Sequence, residues 1–333
     1  MRAQFLTKPG SVDGSPLVWG EVPPPNPGPS QVRLRIHCCA ICHTDLHVVE
    51  GDLALPKLPV IPGHQIVGVV ETVGANVSEL KIGDRVGVPW LYSTDGTCQF
   101  CRAGNENLCE QARFTGYHVD GGYAEYCVVD ESFAYRLPEV FSDEHAAPLL
   151  CAGVIGFRAY RLSGIQPGQR LGLYGFGASA HLVLQLARFH GCEVYVFTRG
   201  KEHRKLAEEL GAAWTGSAED SPPQLLDASI IFAPAGSLVP PALRVLRKAG
   251  TLALAGITMS QIPALDYELL YHERVVRSVA NSTRDDCREF LKQAAEIPVQ
   301  TRIQIYPLAD ANRALQDLKH SRLEAAGVLQ VSK

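Results

Sequence analysis

No large charge of either sign is present in this chain: 31 basic residues stand against 35 acidic ones, a formal net charge of -4. That balance gives no electrostatic reason to expect nucleic acid or an anionic membrane surface as a partner. Long hydrophobic runs are missing too. Apolar stretches such as "LAGITM" and "VIGF" fall far short of the roughly 20 residues that cross a bilayer. The opening "MRAQFLTKPG" lacks the apolar core of a secretory signal, so the expected location is cytoplasmic. Repeats and low-complexity tracts are absent, and "PPPNPGPS" at 23–30 reads as a rigid turn region.

What is there is 333 residues, 46% hydrophobic, 20% charged and 8% aromatic, the composition of a soluble globular protein long enough for two domains. Without an export signal, its ten cysteines read as reduced thiols or metal ligands rather than a disulfide framework. Cys98, Cys101 and Cys109 cluster, whereas Cys127, Cys192 and Cys287 stand alone.

The first 150 residues carry short alternating runs, "QVRLRIHCC" and "IVGVVETVG", then "KIGDRVGV", the pattern of half-buried strands in an irregular β domain. From about residue 152 the texture changes. "RLGLYGFG", "SAHLVLQLARFHG", "CEVYVFTR", "KEHRKLAEELGA", "ASIIFAPA", "VPPALRVLRKAG" and "TLALAGI" read as strand and helix in turn, an α/β parallel sheet covered on both faces. Helical periodicity returns in "DDCREFLKQAAE" and "LADANRALQDLKH", before a final strand in "AAGVLQVSK". The expected domains are 1–150 with 285–333, and 151–284.

"LGLYGFGASAHL" places Gly175 and Gly177 between a strand and a helix, with Ala180 third. The first glycine permits a tight turn and the second lets a pyrophosphate approach the backbone. A small third residue lets the helix pack on the sheet. The phosphates would sit on the helix's unpaired N–H groups. Where an acidic residue would accept the ribose 2′-hydroxyl of NAD, the second strand ends in Thr198 and Arg199, with Lys201, Arg204 and Lys205 beyond. Losing the carboxylate removes repulsion of a 2′-phosphate and Arg199 could pair with it, which favours NADP; the alternative is a solvated basic helix face.

Two groups of residues could hold metal. A catalytic zinc keeps three protein ligands and one open position, and Cys42, His64 and Cys151, each in a turn between apolar segments, are candidates. Buried thiols and a hydrogen-bonded core histidine are the alternative. Asp95, Cys98, Cys101 and Cys109 lie close enough for one loop to wrap a tetrahedral ion with no open position; free thiols in a surface loop are the alternative.

"CHTDLH", "PGHQIVGVVETVG", "IGDRVG", "CQFCRAGNENLC", "GGYAEY" and "LLCAG", in that order before the glycine fingerprint, resemble the zinc-dependent alcohol dehydrogenases of the medium-chain dehydrogenase/reductase superfamily. The resemblance runs nearly the full length. It implies a GroES-like β-rich catalytic domain, a Rossmann doubly wound domain, and a cleft holding zinc and nicotinamide. It makes Cys42, His64 and Cys151 the catalytic zinc ligands, Asp45 the carboxylate that orients His64, Thr44 and His47 a proton relay, and His43 a neighbour of the cofactor pyrophosphate. Gln65 stands where relatives commonly have Glu, and Asp95 where they usually have Cys, giving a Cys3Asp structural site. Two zinc ions per subunit follow.

The implied activity is hydride exchange between a primary or secondary alcohol, or its aldehyde or ketone, and NAD(P). Pairing of "TLALAGI", near the sheet's far edge, between subunits would give a homodimer or homotetramer, as the resemblance suggests. A zinc-free quinone or enoyl reductase, a non-catalytic nucleotide-binding redox sensor, and a polyol dehydrogenase stay open. Cys38 and Cys39 are expected to be buried as small apolar residues. Trp90 and Tyr92 are either substrate-pocket or core aromatics. His181 and His203 carry no assigned chemistry.

Overall fold

A computed structural model of the chain describes residues 1–332 apart from 298 and 324, so Lys333 of the final predicted strand lies outside the described residues. It divides into two compact units. One comprises Met1–Cys151, Ser282–Ala295 and Thr301–Lys333; the other comprises Ala152–Asn281 and Glu296–Gln300.

The first unit is built on a seven-stranded sheet whose spine is the 11-residue strand Gln31–Ile41. Its first half alternates buried Val32, Leu34 and Ile36 with partly exposed arginines, while Cys38 to Ile41 are all buried. That change marks where the strand passes from one covered face to two. Gln65–Val73 runs antiparallel to it, in a register that sets Cys39 opposite Ile66 and Ala40 opposite Gln65. The end of the first strand therefore lies beside the start of the second, which brings Cys42 next to His64. Leu149 and Leu150, in the short turn of helix Ala147–Leu150, are buried. Leu150 lies over Gly87 in strand Arg85–Val88, where an added Cβ would meet it at 2.6 Å. That contact seats the following Cys151 on the sheet.

Glu106, buried on the turn Glu106–Leu108, accepts hydrogen bonds from Arg284 N at 3.0 Å and Arg284 Nε at 3.2 Å. The guanidinium also lies 5.1 Å from the centre of the Phe133 ring. Burial opposes ionisation of Glu106, but the Arg284 backbone N–H and guanidinium outweigh it and hold the carboxyl below its usual range. A depressed folded pKa gives stability that is complete above the unfolded value of about 4.3 and fades as pH falls through the folded one. Glu106→Gln should thus lower unfolding free energy by about 2 kcal/mol at pH 7. The difference from the parent should shrink as the solution is acidified below that window; urea titrations at several pH values measure both.

The second unit holds a six-stranded parallel sheet in the order Trp214–Gly216, Glu193–Phe197, Arg170–Tyr174, Leu226–Ile231, Leu246–Leu254, Val275–Ser278. Leu171, Leu173, Val194 and Val196 face one apolar cluster, and Tyr174, Tyr195 and Phe197 the other. Both faces are thus covered, the doubly wound arrangement expected from the near-continuous apolar strands.

Two expectations need correction. Helix "VPPALRVLRKAG" ends at Arg244: Leu246 is fully buried and pairs with Leu226, so a strand takes over where a helix was expected to continue. "TLALAGI" lies near the edge but is not free to pair between subunits, because Thr251 to Leu254 pair on both sides, with Ala228–Ile231 and with Val275–Ser278. Among the described residues the outer strand on that side is Val275–Ser278, and on the other Trp214–Gly216. Among the described residues no helix is long and apolar enough to cross a membrane.

Candidate metal centres

Cys42 does not sit in a turn, as expected, but at the N-cap of helix His43–Glu50. Its Sγ accepts from Thr44 N at 3.3 Å, and its own N–H donates to Asp45 Oδ2 at 2.9 Å. The pair is a capping box with a thiol in place of the usual hydroxyl. The other oxygen of Asp45 lies 2.9 Å from His64 Nδ1, and both side chains are almost wholly buried. One carboxylate thus fixes both the helix start and the imidazole. With Nδ1–H committed to Asp45, Nε2 is the ring atom that would bind a metal, on giving up its proton.

His64 Nε2 lies 3.3 Å from Cys42 Sγ, which lies 3.9 Å from Cys151 Sγ, and all three ligand atoms fall within 4.8 Å of one another. Zinc–sulfur bonds of ~2.3 Å at tetrahedral angles give a sulfur–sulfur edge of about 3.8 Å, so the donor set fits that ion. Cys42 is held well below its ordinary pKa, first by its hydrogen bond with Cys151 and further by the charge of His64, against burial. Cys151, the partner in that bond, is raised. Burial works against a charged His64, yet the carboxylate of Asp45 and the thiolate of Cys42 outweigh it and push the imidazole up to about 10. The pocket is thus arranged around a positive charge.

Three glycines press the backbone onto this ligand. Gly63 has φ +98°, and a Cβ there would run into the ring of buried Tyr123 and lie 3.0 Å from Cys39 Sγ. A Cβ on Gly116 would lie 2.7 Å from Gly63 N, and one on Gly121 would strike the Gly63 carbonyl. Tyr123, in the "GGYAEY" stretch, is a neighbour the sequence did not single out. Its phenol is raised by burial and by the nearby charge of Asp45.

Thr44 is buried in the first turn of the same helix, with His43 exposed beside it. His47 is one turn on, its Nδ1 2.7 Å from Asp52 Oδ2. Asp52 was not anticipated; its signal is the Gly51 that ends the helix in a left-handed turn and brings the next residue back over His47. Gln65 is buried as the first residue of its strand, and Cys38 and Cys39 are buried as expected. Trp90 stands edge-on to His64, with ring centroids 4.8 Å apart. Tyr92 is buried and accepts from Gln31 Nε2, which makes it a core aromatic.

Asp95, Cys98, Cys101 and Cys109 form the second group, with ligand atoms within 4.8 Å. Cys98 caps the short helix Gln99–Arg102 and accepts from Cys101 N. Asp95 Oδ1 accepts from Thr97 N at 2.8 Å and Cys98 N at 2.9 Å, bonds that hold this carboxyl well below the usual range. The carboxylate is thereby anchored by one oxygen.

In the second unit, Gly175 follows strand Arg170–Tyr174 with φ +81°, and a Cβ there would lie 3.1 Å from Ala233 N. Around Gly177 the space where a Cβ would stand is open, and fully buried Ala180 begins helix Ala180–Phe189. Thr198, at the end of the neighbouring strand, is buried, and its carbonyl accepts from Arg204 Nε at 2.9 Å. Arg199 is exposed. His181 is buried in the first turns of Ala180–Phe189, and His203 lies on Lys201–Glu209.

Residues 28–139 match the family model described as the alcohol dehydrogenase GroES-like domain, and residues 180–296 match that described as zinc-binding dehydrogenase. "Probable alcohol dehydrogenase AdhA" of Mycobacterium tuberculosis (strain CDC 1551 / Oshkosh) is 48% identical, over 99% of this chain and 97% of its own. A cobalt- and zinc-bound thermostable alcohol dehydrogenase from Pyrobaculum aerophilum is similar in structure with a TM-score of 0.89 at 26% identity, covering 99% of both chains. The protein described as CAD from Helicobacter pylori, complexed with NADP(H), gives a TM-score of 0.88 at 26% identity, again over 99% of both.

Proposed function

The chain belongs to the alcohol dehydrogenases of the medium-chain dehydrogenase/reductase superfamily, and from that premise we propose a zinc-dependent enzyme that exchanges hydride between a primary or secondary alcohol and NADP. The observation that carries this reading is the approach of Cys42, His64 and Cys151 within 4.8 Å, with Asp45 behind the imidazole. Those three residues would hold zinc, which when bound supplies Lewis acidity toward the substrate oxygen. The nicotinamide supplies the hydride acceptor or donor, and the protein positions it.

The chain's own part is proton handling and orientation. Thr44, buried beside Cys42, would take the hydroxyl proton, and His47, partly exposed and oriented by Asp52, would pass it toward solvent. Gly175, Gly177 and Ala180 would seat the pyrophosphate at the start of helix Ala180–Phe189. Exposed Arg199, beside a strand end that has Thr198 and no carboxylate, supports NADP over NAD and therefore aldehyde reduction as the cellular direction. The test is a turnover screen of aldehydes with NADPH and NADH, with metal analysis of the same preparation. Absence of turnover with either cofactor would sink the reading.

Asp95, Cys98, Cys101 and Cys109 would hold a second, structural zinc. Asp95→Ala should lower zinc content by about one equivalent and the melting temperature by several degrees, for an expected loss of about 2 kcal/mol or more. Turnover per remaining catalytic zinc should change little.

A homodimer or homotetramer would pair through the outer strand Val275–Ser278, where Val275 is exposed and Tyr267 and Tyr271 are 74% and 56% exposed. Val275→Lys should shift the sedimentation mass toward that of a monomer. An unchanged mass would move the interface elsewhere.

A further inference from the structure

A metal-binding imidazole must be held in two ways. A hydrogen bond at Nδ1 fixes where the ring points, but the ring plane can still turn about the line of that bond. Asp45 provides the first constraint on His64. Within the capping box the ring is touched a second time only by the Cys42 thiol, 3.3 Å from Nε2, on the side the two share with Cys151.

Trp90 stands where the second constraint is required. Its ring meets that of His64 with centroids 4.8 Å apart and planes at 73°, an edge contact that blocks rotation of the imidazole. Trp90 is itself braced. Phe114 stacks on it at 5.1 Å and 12°, Tyr117 lies against it at 5.9 Å, and its carbonyl accepts from Thr115 N at 2.9 Å. Tyr117 is tied in turn by its hydroxyl to the Ala54 carbonyl at 2.6 Å. The brace runs from the loop after helix His43–Glu50 through the rings of Tyr117 and Trp90 to the imidazole, with Phe114 stacked on Trp90.

We propose that Trp90 is a positioning residue for His64, holding the ring plane so that Nε2 faces the point it shares with Cys42 and Cys151. The inference rests on the zinc reading above. It differs from a role in which Trp90 merely touches substrate, because it places the effect on the metal rather than on substrate affinity.

Two variants separate the roles. Trp90→Leu removes the ring, and Trp90→Phe keeps an aromatic edge. Zinc affinity is read by competition with a fluorescent chelator, with the Asp95 and cysteine group as an internal control, and the cobalt(II)-substituted proteins are compared by visible absorption. Trp90→Leu should weaken retention at the three-ligand site about tenfold, which is about 1.4 kcal/mol, and shift the cobalt bands. Trp90→Phe should stay within about threefold of the parent, and the control site should be unchanged in both. Phe114→Leu, which loosens the brace without touching His64, should move the same quantities in the same direction by a smaller factor, and it serves if Trp90→Leu does not fold. Parent-like zinc affinity and cobalt bands in Trp90→Leu, whatever happens to KM, would overturn the proposal, as would parent-like values in Phe114→Leu should that variant stand in. Equal zinc content in the parent and in Cys42→Ser would instead remove the zinc reading beneath it.

Discussion

Cys42→Ser should lose about one equivalent of zinc and nearly all turnover while keeping its fold. The metal's contribution to the barrier is several kcal/mol, and ~4 kcal/mol corresponds to roughly a thousandfold in rate. Serine is the informative replacement because Cys42 has two duties. It caps helix His43–Glu50 through Thr44 N, and serine is among the best residues at that position. The hydroxyl therefore preserves the helix that carries Thr44, Asp45 and His47, and removes only the thiolate. Alanine would confound the two duties, adding a cap loss of about 1 kcal/mol. Zinc content, circular dichroism and kcat/KM on one preparation make the comparison, and a serine variant with near-normal turnover would take Cys42 out of the metal site.

Thr198→Asp should invert cofactor choice, lowering kcat/KM with NADPH relative to NADH by on the order of a hundredfold, since like-charge juxtaposition costs several kcal/mol. The new carboxylate would stand where a ribose 2′-hydroxyl is accepted and a 2′-phosphate repelled. Arg204 is close enough to bond the Thr198 carbonyl, so it would pair with part of the introduced charge and temper the effect. Arg199→Leu supplies the complementary arm, removing attraction without adding repulsion. An unchanged NADPH to NADH ratio in both variants would dissociate this strand end from cofactor choice.

The fold was readable because its elements carry strong periodic signals. Strand Arg170–Tyr174 and strand Glu193–Phe197 are apolar, and a fingerprint glycine follows the first. The alternation in "QVRLRIH" announced a strand with one open face. What periodicity does not carry is the order of strands across a sheet. Val275–Ser278 is short, with only two apolar residues, so it carries no strand signal, and its neighbour "TLALAGI" reads as free to pair between subunits when it is covered on both edges.

The site was legible in composition more than in geometry. Cys42, His64 and Cys151 are separated by 22 and 87 positions along the chain, and no local pattern joins them. Their assembly depends on the register of two antiparallel strands and on one turn over Gly87, facts of pairing that a single sequence encodes only indirectly. The capping role of Cys42 escaped notice for a chemical reason: the cap signal is ordinarily an oxygen, and here it is sulfur. Contacts such as Trp90 against His64, 26 positions apart, leave no periodic trace either.

The crowding of main chain around Gly63 bears on how such a protein can be adapted. Residues 63, 116 and 121 have no room for a side chain: at 63 the buried Tyr123 ring and the Cys39 sulfur, and at 116 and 121 the main chain itself, occupy the volume a methyl group would claim. Laboratory selection for new substrates should therefore leave these three sites monomorphic.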